Sequence, residues 1–141
     1  MLAEESGRLD DCRRLALNHV DIMFHVFCAQ GYPVGLGAAA RAIGQAKSRD
    51  VDGELAPQLW QGGQYQKVLD YVAQDCKVTL AVALQSEEKR CLSWINKKGG
   101  TSRFALPTGW LTVKEAMSLP LPDTSWMSTP MQRSRFTRWL G

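Results

Sequence analysis

The run that begins at Gln64, QYQKVLDYVAQDCKVTLAVAL, constrains this chain more than any other segment. It comes after a Gly62-Gly63 break and reads as one long helix from about Tyr65 to about Arg90. Val68, Leu69, Val72, Val78, Leu80, Val82 and Leu84 spread apolar side chains around most of its circumference. Such a pattern predicts a helix packed at the centre of a fold. Tyr71 and Asp75 stand four residues apart within it, so both point to one face. A carboxylate with a phenol one turn away suits metal binding and the orientation of a water. A plain hydrogen-bonded pair on a helix face is the other reading of the same spacing.

The remaining segments are short. Arg8 to Leu17 predicts a helix, and Asn18 to Asp21 a break in which Asp21 caps a second helix running to about Gln30. Gly31 stops that helix. Leu36 to Ile43 predicts a third, ended by Gly44, and Ala46 to Glu54 a polar surface loop. Leu55 to Trp60 offers one or two helical turns. Cys91–Ile95 and Ser102–Leu106 flank the basic turn Asn96-Lys97-Lys98-Gly99-Gly100 as a β-hairpin. Thr112 with Glu115 three residues on gives a capping-box start to a helix through Ser118. Three prolines then hold an extended segment, and Met131 to Leu140 predicts a basic closing helix. The fold class expected is mainly α with a small β-hairpin.

At 141 residues, 45% of them hydrophobic and 22% charged, the chain is long enough for a buried core and ordinary for a globular protein. No apolar run reaches the roughly 18 residues of a membrane span. The acidic N-terminus lacks the layout of a secretion signal, which leaves the cytoplasm as the expected compartment. Charge is uneven: residues 1–86 carry 8 basic and 10 acidic side chains, residues 87–141 carry 9 and 4. The expected division is a helical part over 1–90 and a basic hairpin and helix extension over 91–141. The basic part is compatible with phosphate contacts. Lys47 and Arg49 are candidate contacts to a nucleic-acid backbone, or members of a solvated loop.

Cys12, Cys28, Cys76 and Cys91 form no CxxC pair, so buried reduced thiols are expected rather than a zinc site with His19 or His25. The two histidines read as packing or surface residues, and Trp60 and Trp126 as core anchors. Arg133, Arg135 and Arg138 do not share one helical face.

Tyr71-Val72-Ala73-Gln74-Asp75 is similar to the last motif, Tyr-x-x-x-Asp, of the 3′–5′ exonucleases of the ribonuclease H-like superfamily (the DEDD group with a tyrosine). The flanks keep the same order: His19-Val20-Asp21-Ile22, Leu36 with Ala38 to Ala40, Gly44, Lys47, Gly53, Leu59-Trp60, Gly63, Leu69-Asp70 and Thr79. The resemblance covers about residues 18–85. It implies an α/β domain of which this chain resembles the helical C-terminal part. Asp75 would be a magnesium or manganese ligand and Tyr71 the water-orienting phenol, with DNA or RNA as substrate.

The chain departs from that pattern at the other acidic motifs. Its one Asp-x-Glu, Asp52-Gly53-Glu54, sits in a polar loop with no apolar strand before it and does not serve as the first motif. Leu2 to Glu5 resembles the segment just after the family's second motif, which places the family's leading strands upstream of Met1. One carboxylate cannot hold two metals, so little nuclease activity is expected from this chain alone. A partner subunit supplying the missing carboxylates is a further expectation, and a non-catalytic nucleic-acid-binding or interaction module is the alternative.

Overall fold

The structure is a computed structural model that describes residues 6–45 and 53–140. In chain order the helices are α1 (Leu9–Asn18), α2 (Ile22–Gln30), α3 (Leu36–Ala42), α4 (Ala56–Gln61) and α5 (Tyr65–Glu88). Next come strands β1 (Cys91–Ile95) and β2 (Thr101–Ala105), then α6 (Val113–Met117) and α7 (Ser134–Thr137). Short 3-10 turns cover Gly53–Leu55 and Arg138–Leu140. The protein is therefore mainly helical with one two-stranded antiparallel sheet. Among the described residues no helix is long and apolar enough to cross a membrane.

Contacts group the chain into two compact units, one of residues 1–34 with 108–141 and one of residues 35–107. A division at residue 90 does not coincide with them. The hairpin groups with the long helix because β1 packs on both α3 and α5.

In the first unit local signals decide the helix ends. Asp21 caps α2 by accepting from the Phe24 N–H at 2.9 Å. Gly31 ends it in the left-handed region at φ 87°, its N–H bonding Phe27 O. A Cβ at Gly31 would meet Thr124 Cγ2 at 2.5 Å, so both conformation and space require glycine there. The Thr112–Glu115 capping box starts α6 as expected. Phe24, Phe27, Cys28, Val113 and Ala116 form the buried cluster, with Leu17, Met131 and Leu140 against it.

The closing helix is shorter than expected. Only Ser134–Thr137 is α-helical, continued by the 3-10 turn Arg138–Leu140 and preceded by Arg133. Its guanidinium donates to the carbonyls of Met117 and Leu119 (3.2 and 2.6 Å) and to those of Cys28 and Pro120. One side chain thus closes the C-terminal end of α2 and the turn after α6. His25, 5% exposed, accepts the Leu111 N–H on Nδ1 at 3.3 Å and lies edge-on to Trp110. Burial pushes its pKa below the usual 6.5, against an opposing pull from Glu115.

In the second unit β1 and β2 pair in register from Cys91↔Ala105 to Ile95↔Thr101. Leu92 and Trp94 face inward and are buried, as the period of two demands. Their partners on the long helix are fewer than its sequence predicts. α5 buries Val68, Val78, Val82 and Ser86, while Leu69, Val72, Leu80 and Leu84 stay exposed. The expectation of central packing is corrected: α3, α4 and β1 lie against the helix, and only one of its apolar faces is buried.

Both polar devices of the first unit bear on stability. Arg133→Met should cost about 2–4 kcal/mol in urea unfolding, and Arg133→Lys should not restore it, because an ammonium lacks the planar fork that reaches several carbonyls. His25 binds a proton more readily unfolded than folded, so its contribution is complete above about pH 6.5 and is lost as pH falls below that. Urea midpoints at pH 7.5 and 5 should differ more for the wild-type chain than for His25→Gln.

Candidate functional site

Tyr71 and Asp75 project from the middle of α5, one turn apart, and both are half-buried. They lie on the side of the helix that carries Val68, Val78 and Val82, so the pair faces the interior of the second unit. Asp75 Oδ1 is shielded from solvent. The Tyr71 hydroxyl reaches the 3-10 turn at Gly53, where an added Cβ would stand 3.0 Å from Tyr71 Oη and 3.9 Å from Cζ. Glycine at 53 therefore leaves the phenol room that a side chain would crowd. The sequence places Gly53 before the aromatic residue but cannot show that the two come close, since they stand eighteen positions apart.

Chemically, the pair offers one carboxylate with a phenol nearby. Among the described residues no group of three or more His, Cys, Asp or Glu is placed to hold a metal ion. Magnesium and manganese require several oxygen ligands, and a two-metal centre needs still more carboxylates. The residues described do not fit such a centre. Glu54 is exposed in the 3-10 turn. Lys47, Arg49 and Asp52 lie outside the described residues, as do Leu2 to Glu5.

The other candidates fall into structural roles. Asp21 is spent as a helix cap. His19 Nδ1 lies 2.6 Å from Ala16 O, so that nitrogen carries the proton and donates. Of the thiols only Cys28 is buried, and burial pushes its pKa up, while Cys76 is exposed. Trp60 and Trp126 are not core anchors. Trp60 is exposed and packs edge-on against Tyr65 at 4.7 Å, and Trp126 is 67% exposed beside Tyr32. The indole that does anchor a core is Trp94 on β1, which alternation in the strand makes legible.

The basic side chains divide by position. Arg133 is turned inward in the first unit. Lys89, Arg90, Lys97, Lys98 and Arg103 are exposed on and beside the hairpin of the second unit. Arg103 sits opposite Ser93 on the hairpin's outer face, and Lys97 and Lys98 occupy its turn. The first unit also holds a cavity of about 260 Å³, lined chiefly by Phe24, Phe27, Val113, Met131, Phe136 and Leu140. That cavity belongs to a different unit from Tyr71 and Asp75.

The Gly53–Tyr71 approach is open to a double-mutant cycle. Gly53→Ala should destabilise the chain by about 1 kcal/mol, and in a Tyr71→Phe background that loss should shrink by about half or more. Equal losses in the two backgrounds would separate the turn from the phenol. Comparison of the chain with protein-family models, with curated proteins and with solved structures gives no match.

Proposed function

We propose that this chain is a relative of the ribonuclease H-like 3′–5′ exonucleases, presenting the last carboxylate and the tyrosine of their site on α5. The observation that carries the reading is the inward-facing Tyr71–Asp75 pair, with the phenol close to Gly53. A helix packed along this face keeps both side chains at a fixed angle to each other, as a site that positions a phosphodiester requires. Asp75 alone does not complete such a site. Phosphodiester hydrolysis needs carboxylates from beyond the described residues or from a partner subunit, so the chain by itself binds nucleic acid and cleaves it little.

A second reading is favoured by one observation, the exposed lysines and arginines of the hairpin. A non-catalytic module would bind DNA or RNA through Lys97, Lys98 and Arg103, with affinity falling steeply as salt rises. Asp75 would then play no part.

End-labelled single strands, incubated with the chain and manganese, test both. The expected result is binding with little shortening. Shortening from the 3′ end that Asp75→Ala abolishes would uphold the exonuclease reading and overturn the inactivity. Binding that Asp75→Ala leaves intact, and that Lys97→Glu with Lys98→Glu weakens about tenfold or more, would favour the hairpin module. Absence of binding at low salt would sink both.

A further inference from the structure

The cavity of about 260 Å³ in the first unit lies between α2 and the C-terminal segment. Four aromatic rings line it, those of Phe24, Phe27, Phe136 and Trp139. Phe27 meets Phe136 edge-on at 5.1 Å, which joins the two walls. Met23, Phe136 and Trp139 line the cavity while standing 49%, 42% and 40% exposed, so it is open to solvent on their side. Two arginines pin the C-terminal wall. Arg13 donates from Nε to Trp139 O at 3.1 Å, and Arg133 donates to Cys28 O. A wall held at both ends keeps the space from closing, so a ligand finds it preformed.

The polar side chains among the described lining residues have no hydrogen-bond donor left to give. His19 Nδ1–H goes to Ala16 O, the Thr137 hydroxyl to Arg133 O at 3.2 Å, and Trp139 Nε1–H to Phe136 O at 3.0 Å. What remains are acceptors: His19 Nε2, the Thr137 oxygen and the carboxylate of Asp21, of which the helix cap engages Oδ1. Asp21 is the one carboxylate among the described lining residues, and no lysine or arginine is among them.

We propose that this cavity binds a small amphipathic amine, with an aromatic ring in the apolar space and the ammonium group at Asp21. The proposal stands independently of the nuclease reading. An ammonium group carries donors and no acceptor, the complement of what the side chains here present. Aromatic rings attract a cation as well. A carboxylate or phosphate group would instead set like charge against Asp21 and meet side-chain acceptors alone. Size fixes the rest of the ligand. An apolar cavity of about 150 Å³ holds benzene, so about 260 Å³ admits one ring with a chain of about three carbons.

Isothermal titration of the full chain with phenylpropylamine, phenylpropanol and phenylpropionate, which share one body and differ in the head, tests the assignment. The amine should bind saturably, the alcohol about five- to tenfold more weakly, and the carboxylate more weakly still. Asp21→Asn keeps a side-chain oxygen for the helix cap and removes the charge. It should weaken the amine by about five- to tenfold and leave the alcohol unchanged. Ala16→Leu, which fills part of the cavity, should remove binding of both with unchanged circular dichroism. The order of the three heads in the wild-type chain reads the charge without any variant. No saturable binding of the amine, or an alcohol or carboxylate that binds as tightly, would overturn the proposal. An amine indifferent to a folded Asp21→Asn or Ala16→Leu chain would overturn it equally.

Discussion

One-sided packing of α5 is the constraint on which the second unit depends. Its buried valines lie on the face that carries Tyr71 and Asp75, while α3, α4 and β1 pack against the helix. Burying a valine or leucine is worth about 1.5–3 kcal/mol, so the orientation that places Val68, Val78 and Val82 inward outweighs any preference of the polar residues beside them. Tyr71 and Asp75 are carried inward by that choice, and Leu69, Val72 and Leu80 outward by the same rotation. The inward candidate pair and the exposed apolar flank are thus two consequences of a single orientation.

The first unit rests on a different device. Its helices are short, with Val113 and Ala116 of α6 in the core and no buried residue on α7. What joins them is a guanidinium shared among the carbonyls that helix C-termini leave without intrahelical donors. A planar cation with five donors is the side chain suited to such a junction. The consequence reaches function, because a residue that counts toward a basic C-terminal surface in composition is withdrawn from it in space. The exposed basic charge of the second unit lies on the long helix itself, at Lys67 and Lys77, as well as on the hairpin.

Much of the local structure is legible in the sequence because its causes are local. Asp21 caps, Gly31 terminates and the Thr112–Glu115 box initiates, each through contacts within about one helical turn. Alternation around a Gly-containing turn is enough to specify the hairpin. Sequence reasoning fails where the cause is distant. Arg133 bonds carbonyls as far as Cys28, and nothing near it in the chain announces this. Residue type alone puts Trp60 and Trp126 in a core, yet they meet Tyr65 and Tyr32 at the surface. Of the candidate site, the Tyr71–Asp75 pairing is readable from spacing, and the approach of Gly53 is not.

Local sequence alone accounts for most of the helices and several of their ends, for the existence of the hairpin though not its register, and for the shared face of Tyr71 and Asp75. Each depends on backbone periodicity and on hydrogen bonds within a few residues. Only the tertiary structure decided which of two apolar faces of the long helix is buried. Both faces offer similar hydrocarbon, so the choice lies with the elements that pack there, and their positions are set by contacts far apart in the chain.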